Sequence, residues 1–211
     1  YMNQKNGKNS LGIDGCFEEF ANPIDLFKKW FSEADKKEIN DPNAVAVATS
    51  DDNNQPNVRM VLLKGLSTRG FVFFTNFNSK KGKELKNNKK ASMCFHWKSL
   101  RRQVRISGKV EEVTSQEADN YYNSRPYKNK IGAWASSQSQ VLDKRETFLE
   151  NIKEFEKKYS DQNNVPRPPH WSGWRLLPNE IEFWLDGEGR IHERLNYKRL
   201  NDEWVKELLY P

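Results

Sequence analysis

The segment Arg190-Ile191-His192-Glu193-Arg194 places two arginines and a histidine at alternate positions. In a β-strand alternate side chains lie on one face, so Arg190, His192 and Arg194 would form a cationic ladder. Like charges about 6.7 Å apart repel by about 2 kcal/mol at an effective dielectric constant near 20. The ladder therefore favours an electron-rich partner, although a solvated edge strand is the simpler interpretation.

A second group of cations follows the apolar run 71–75. Ser79, Lys80 and Lys81 stand where the pattern changes from strand to helix. A helix N-terminus offers free backbone N–H groups and a positive dipole end, so this segment predicts a phosphate cradle. A solvated, lysine-rich turn is the alternative.

Four further polar residues have informative spacing. Arg59 and Lys64 are five residues apart in a predicted strand, so they point to opposite faces and would hold two separate groups. Tyr121 and Arg125 are four residues apart in a predicted helix and lie on one side of it. A hydroxyl beside a guanidinium suits a phosphate, although a tyrosine that covers an arginine stem gives the same pattern.

Charge is distributed unevenly along the chain. The net charge is +6, yet the segment 59–109 contains fourteen Lys or Arg residues and a single acid, Glu84. Such a basic block is typical of proteins that bind nucleic acid, an anionic membrane surface or a phosphorylated small ligand. The charge alone does not choose among these.

Length and composition predict a single domain, since 211 residues with 36% hydrophobic content can form one substantial core. The chain has no apolar run long enough to span a bilayer, and its start lacks the apolar core of a signal peptide. Cys16 and Cys94 are the two cysteines, which favours reduced thiols and a cytoplasmic location.

Hydrophobic periodicity predicts the elements that position these residues. We expect a flexible arm over residues 1–18 and one domain over 19–211, which begins with a helix at Asn22-Pro23. Strands are predicted at 44–49, 58–64, 70–76, 91–97, 102–109, 180–186 and 190–199, and their spacing indicates an antiparallel barrel. A capping box at Thr114–Glu117 opens another helix, and Asp143 starts a further one.

Several ordered motifs resemble one family. They include Arg59-Met60-Val61-Leu62-Leu63-Lys64, Ser124-Arg125-Pro126, Ile181-Glu182-Phe183-Trp184 and the arginine–histidine segment 190–194. From about residue 20 to the end, the chain resembles the pyridoxine 5′-phosphate oxidase family. The resemblance implies a mainly β fold with flanking helices, the FMN-binding split β-barrel, and a homodimer with FMN at the subunit interface. It also implies oxidation of pyridoxine or pyridoxamine 5′-phosphate to pyridoxal 5′-phosphate, with O2 as acceptor and H2O2 as by-product.

The resemblance also implies roles for individual residues. Arg59, Lys80 and Lys81 would hold the FMN phosphate. The rest of the FMN would contact a larger set, namely Met60, Val61, Leu62, Leu63, Lys64, Phe74, Thr75, Gln103, Gln138, Ser139, Trp184 and Arg194. The substrate phosphate would be bound by Lys64, Tyr121, Arg125 and Asn129, and its ring would be covered by Arg190, Ile191 and His192. Among these, Arg190 and His192 would be the catalytic residues and would orient the pyridine ring.

A few positions depart from the family pattern. Phe74 stands where tyrosine is common, Lys80 where arginine is common, and Asn129 where a serine usually assists the substrate phosphate. Each keeps similar size or polarity, so we expect tuned affinity rather than lost function. The arm has no arginine before Arg59, and Leu208 replaces a usual arginine near the end of the chain.

Two other classes of function fit parts of the pattern. One is a non-catalytic split-barrel protein that binds FMN or pyridoxal phosphate. The other is an RNA-binding module that uses the basic block together with Phe77, Phe95 and Trp97 for base stacking. The oxidase hypothesis expects neither a nucleic acid nor a membrane partner.

A metal site is not expected, because Cys94 and His96 form the single close pair and no second pair has zinc-ligand spacing.

Overall fold

The computed structural model describes residues 7–211 and is built around one antiparallel sheet of nine strands. The strands are β1 (Ala44–Ser50), β2 (Pro56–Leu62), β3 (Gly65–Ser67), β4 (Gly70–Asn76), β5 (Lys90–Trp97), β6 (Arg102–Glu112), β7 (Trp171–Leu185), β8 (Glu193–Leu200) and β9 (Glu203–Leu208). Their main order is β2-β1-β5-β6-β7-β4-β3. The long strand β7 pairs with β4 through its first half and with β8 through its second half, so the sheet divides there. The predicted antiparallel, split-barrel architecture is confirmed.

Within residues 7–211, five α-helices flank the sheet: α1 (Pro23–Lys37), α2 (Lys80–Asn87), α3 (Ser115–Asn123), α4 (Tyr127–Ala135) and α5 (Arg145–Lys158). Side chains cap three of their starts, two as predicted, at Asn22 and Thr114, and one at Ser79, where no cap was predicted. Asn22 accepts a hydrogen bond from the backbone N–H of Ile24, and Ser79 accepts one from Gly82. Thr114 and Glu117 form the reciprocal capping box of α3. None of the helices in the described part of the chain is long and apolar enough to cross a bilayer.

The core lies between α1 and one face of the sheet. Alternating residues of β1 and β5 are buried, as period-2 patterning requires. Phe27 on α1 packs edge-on against Phe71 and Phe95, with ring centroids 4.9 and 5.1 Å apart. Each such side chain contributes about 1.5–3 kcal/mol of burial free energy. The opposite face of the sheet remains open at its β2 edge, where Val58 and Met60 are 69% and 63% exposed.

The N-terminal segment is more ordered than its composition indicates. Residues 1–6 lie outside the described part of the chain, but Cys16 and Phe17 are buried in the core. The Trp30 indole N–H donates to the Cys16 carbonyl at 2.8 Å, which fixes this segment against α1. The expected flexible arm is therefore wrong for residues 13–17, because two apolar side chains anchor a stretch that is otherwise polar.

The predicted cationic ladder is also wrong. Arg190 closes a short 3₁₀ turn at φ 65°, and β8 begins only at Glu193, so Arg190 and His192 precede the strand. Gly189 has a φ of 64°, so Gly189 and Arg190 are two successive residues in the left-handed region. This turn interrupts the extended backbone that a ladder requires. Arg194 alone of the three lies in a strand.

Other boundaries differ by smaller amounts. α5 begins at Arg145, two residues after the predicted start at Asp143, and β7 begins at Trp171 rather than at 180. The predicted strand 58–64 ends at Leu62, and β3 follows it as a separate short strand. The helix α4 and the strand β9 were not predicted.

Candidate active site

One cavity of about 560 Å³ lies between β2, β4 and the helices α3 and α4. It brings together eleven of the predicted site residues: Met60, Val61, Leu62, Lys64, Phe74, Thr75, Lys81, Tyr121, Arg125, Asn129 and Gln138. These residues come from both the predicted cofactor group and the predicted substrate group. A single chain therefore supplies one cavity that is lined by residues predicted to bind the cofactor and by residues predicted to bind the substrate.

Lys81 provides a buried cation at one end of the cavity. Its ammonium group donates to the side-chain oxygen of Gln138 at 3.0 Å and lies 3.4 Å from the hydroxyl of Ser79. The pKa of Lys81 is lowered to about 8, mainly by burial and also by repulsion from Arg59, whereas Glu84 acts in the opposite direction. A bound anion would stabilise the protonated form.

Arg59 lies behind this cation rather than in the cavity wall. Its guanidinium donates to the Val47 carbonyl at 3.2 Å and is 3.4 Å from the carboxylate of Glu84. The Glu84 side chain is 5% exposed, and it accepts a further hydrogen bond from Asn57 at 2.8 Å. The single acid of the basic block therefore pairs with one of its cations. Lys80 is exposed at the first position of α2.

The other end of the cavity contains a stack of aromatic rings and a guanidinium. Tyr121 lies flat on Phe74 with ring centroids 4.2 Å apart, and Phe74 stacks on Trp171 at 5.3 Å. The guanidinium of Arg125 lies 4.8 Å from the centre of the Trp171 ring. Its Nη1 atom is buried and has no hydrogen-bond partner among the residues that the structure describes. Burial lowers the pKa of Arg125, so an anion in the cavity would offset an unpaired buried donor.

Three predicted cofactor residues form a second group on the open face of the sheet. Gln103, Trp184 and Arg194 are cross-strand neighbours in one row across β6, β7 and β8. Arg194 donates to Glu182 at 2.8 Å, and this hydrogen bond raises its pKa. Glu182 also accepts from Arg105 at 3.0 Å, so the row is held by a network of charges. None of the three lines the cavity.

Arg190, Ile191 and His192 belong to the loop beside this row. The imidazole of His192 lies 4.7 Å from the ring of Trp184, and its Nδ1 atom is 3.2 Å from both the Asp186 carboxylate and the Gly187 N–H. Hydrogen bonds from Arg101 lower the pKa of Asp186. Ile191 is 72% exposed. Within one chain, this loop does not reach the cavity wall.

Two predicted cofactor residues have other surroundings. Leu63 is buried in the core, where its backbone N–H donates to the Asn43 carbonyl. Ser139 is exposed, with φ at 70°, next to Gln138. The predicted site residues therefore fall into a cavity group, a group behind it, and a distant group on the open sheet face.

Several cavity residues were missed from the sequence: Asn76, Lys128, Gly132, Ala133, Ser136, Phe148 and Trp171. Four of them belong to or directly follow α4. Ile131 and Ala135 are four residues apart and both buried, after Pro126 at the helix start, and this spacing could have revealed the helix.

Comparison with known proteins identifies the family. A sequence profile described as pyridoxamine 5′-phosphate oxidase matches residues 31–159, and one described as the pyridoxine 5′-phosphate oxidase C-terminal dimerisation region matches residues 171–211. The chain is 62% identical over 207 residues to the pyridoxine/pyridoxamine 5′-phosphate oxidase of Pelagibacter ubique. This alignment covers 98% of this chain and 100% of that protein. The chain belongs to the pyridoxine/pyridoxamine 5′-phosphate oxidase family.

Other relatives agree with this family assignment. The oxidase of the same name from Agrobacterium fabrum is 53% identical, over 92% of this chain and 95% of that protein. Among solved structures, PhzG from Burkholderia lata 383, in complex with tetrahydrophenazine-1-carboxylic acid, superposes with a TM-score of 0.88 at 30% identity, over 97% of this chain and all of that one. An FMN-binding protein from Nostoc punctiforme shares the fold, with a TM-score of 0.72 at 17% identity.

Proposed function

We propose that this chain is an FMN-dependent oxidase that converts pyridoxine 5′-phosphate or pyridoxamine 5′-phosphate to pyridoxal 5′-phosphate. Membership of the pyridoxine/pyridoxamine 5′-phosphate oxidase family supports the reaction. The observation that carries the proposal is the cavity, which is lined by the buried Lys81 and by Arg125, one of whose guanidinium nitrogens has no partner among the described residues. Two phosphorylated ligands that bind side by side would neutralise the charge of the lysine and pair the guanidinium nitrogen.

The residues at the Lys81 end fit a flavin phosphate. Lys81 and Lys80 stand at the start of α2, whose free N–H groups and dipole favour an anion. Arg59 adds a third positive charge from behind. In this proposal Thr75 and Gln138 contact the flavin ring system, since both line the cavity beside Lys81. When bound, FMN supplies a two-electron acceptor that O2 reoxidises with release of H2O2.

The residues at the Arg125 end fit the substrate phosphate. Arg125 and Lys64 supply charge, Tyr121 supplies a hydroxyl, and Asn129 supplies an amide. Binding the phosphate fixes the far end of the substrate, so the reacting carbon is held at a constant place relative to the flavin. Because alcohol and amine substrates share this phosphate, one site serves both.

The distant group is assigned to the neighbouring site of a homodimer. Gln103, Trp184, Arg194 and the loop with Arg190 and His192 lie outside the cavity of their own chain. The match of residues 171–211 to a dimerisation region supports the pairing of two chains. In this proposal, Arg190 and His192 of one subunit cover the substrate ring held by Arg125 of the other. His192 would orient the substrate hydroxyl or amine through a hydrogen bond.

Reconstitution tests the proposed reaction. Purified protein is mixed with FMN, and the flavin absorption and the quenching of flavin fluorescence report binding. Pyridoxine 5′-phosphate is then added in the presence of O2, and aldehyde and H2O2 are quantified together. We expect equal amounts of both products. Flavin binding without turnover would leave a carrier protein, and no flavin binding at all would refute the proposal.

Arg125→Leu tests the phosphate assignment. Two charge-assisted hydrogen bonds left unmade cost roughly 3–6 kcal/mol, which lowers kcat/KM by about 10² to 10⁴. We expect that loss for pyridoxine 5′-phosphate and almost none for free pyridoxine, while FMN still binds. A wild type that oxidised both substrates with similar kcat/KM would contradict the assignment.

A further inference from the structure

Arg167 lies in the connection between α5 and β7, outside the cavity wall. Its Nε donates to the carboxylate of Asp119 on α3 at 2.6 Å, and its Nη1 donates to the backbone carbonyl of Trp171 at 2.7 Å. The Arg167 side chain is 18% exposed, so the ion pair is partly shielded from water. One guanidinium therefore joins α3 to the first residue of β7.

Those two attachment points both support the proposed phosphate-binding residues. Asp119 lies two residues before Tyr121 on α3, and the same helix leads directly to Arg125. Trp171 supplies the ring on which the guanidinium of Arg125 stacks at 4.8 Å. A shift of α3 relative to Trp171 would move Arg125 off its ring and change where its buried nitrogen points.

The connection that contains Arg167 is well suited to hold a fixed geometry. Pro166, Pro168 and Pro169 restrict its backbone, because each proline ring fixes φ. The Trp134 indole on α4 donates to the Pro166 carbonyl at 2.8 Å, and the His170 carbonyl accepts from the Phe77 N–H at 2.6 Å. Both walls of the cavity are therefore attached to this short segment.

We propose that Arg167 is a positioning residue for substrate recognition, which fixes Arg125 through Asp119 and the Trp171 carbonyl. This inference rests on the proposed role of Arg125 as the ligand of the substrate phosphate. Arg167 touches neither substrate nor cofactor, so its effect passes through Arg125. A geometry error of about 1 Å at a binding group can cost about 10²-fold in rate, so the loss of this link is measurable.

The test uses Arg167→Leu, Arg167→Lys, and the double variant with Arg125→Leu, each loaded with FMN. In Arg167→Leu we expect KM for pyridoxine 5′-phosphate to rise about tenfold, with kcat nearly kept and the Kd for FMN unchanged. Arg167→Lys keeps the charge and can still donate to Asp119, so it should recover part of the loss. Free pyridoxine, which carries no phosphate, should be oxidised at the wild-type rate by Arg167→Leu and by Arg167→Lys.

The double variant separates positioning from general stability. If Arg167 acts through Arg125, adding Arg167→Leu to Arg125→Leu causes no further loss of kcat/KM. Arg102→Leu is the matched control, because it removes a buried arginine that pairs with Glu33 at 2.6 Å and does not line the cavity. This control should lower thermal stability without raising KM for the phosphorylated substrate.

The outcomes distinguish the inference from the proposed function. Additive losses in the double variant, a fall in kcat with free pyridoxine, or an unchanged KM in Arg167→Leu would overturn the positioning role. If Arg125→Leu itself leaves the preference for phosphorylated substrate intact, the proposed phosphate site is wrong, and the role of Arg167 falls with it.

Discussion

The charge of Lys81 is sensitive to its surroundings. Its pKa is lowered to about 8, mainly by burial, so the unliganded protein loses this positive charge as pH rises through that value. A phosphate group binds the protonated form better, so FMN binding should take up protons near this pH. The affinity of the apoprotein for FMN should consequently fall between about pH 7 and about pH 9.

Variants of α2 test this prediction. Lys81→Met should weaken FMN binding at about pH 7 by about 10- to 100-fold, the value of one charge-assisted hydrogen bond, and should flatten the pH dependence. Lys83→Met removes an exposed lysine of the same helix and should keep the wild-type pH profile. Kd values from flavin fluorescence titrations over this pH range give the answer. An unchanged slope in Lys81→Met would assign the titration to another group.

At the scale of single elements, α2 and α4 each contain a glycine with opposite surroundings. A Cβ at Gly82 would overlap the backbone of Phe77, with the carbonyl carbon only 2.6 Å away. A Cβ at Gly132 would meet nothing within 4 Å. The first helix is thus pressed against the turn that precedes it, whereas the second has free space at its glycine.

The same substitution should therefore have opposite effects in the two helices. Gly132→Ala should stabilise the apoprotein by roughly 0.5–1 kcal/mol, the usual gain of alanine in a helix. Gly82→Ala should destabilise it by roughly 1–3 kcal/mol, because the overlap forces α2 away from Phe77. Unfolding in denaturant measures both. Equal gains in the two variants would show that α2 can move without cost.

Local signals in the sequence predicted much of these elements. The caps at Asn22 and Thr114 are confirmed because the side-chain oxygen and the backbone N–H that donates to it lie within three residues of each other. The ladder at 190–194 failed because Gly189 and Arg190 adopt left-handed backbone angles that no alternation of side-chain types reveals. The cavity was only partly predictable, since Trp171 reaches Phe74 through strand pairing between distant segments.

At the scale of the whole molecule, the proposed homodimer would build each site from two chains. The cavity group with Arg125 and the loop with Arg190 would come from different subunits. In a two-fold symmetric dimer both sites are equivalent, and each chain contributes to both. Two inactive variants can then complement each other.

Co-expression tests this arrangement. Arg125→Leu and Arg190→Met homodimers should both turn over pyridoxine 5′-phosphate poorly. A random mixture of the two chains would contain mixed dimers with one intact site, so about a quarter of the wild-type activity should return. Two Arg125 variants, Arg125→Leu with Arg125→Ala, serve as the control and should regain nothing. No recovery from correctly mixed dimers would place both groups in the same chain.

The position of Trp171 in the cavity wall also gives the protein an optical property. Indole emission overlaps flavin absorption, so a flavin in this cavity would accept excitation energy from Trp171 at very short range. Trp30, Trp97 and Trp174 lie in the core instead, where they report folding. The intensity of intrinsic fluorescence should therefore decrease when the cofactor binds and increase when it is released. The intensity of tryptophan fluorescence therefore measures the fraction of molecules that hold the flavin, and the measurement requires no substrate.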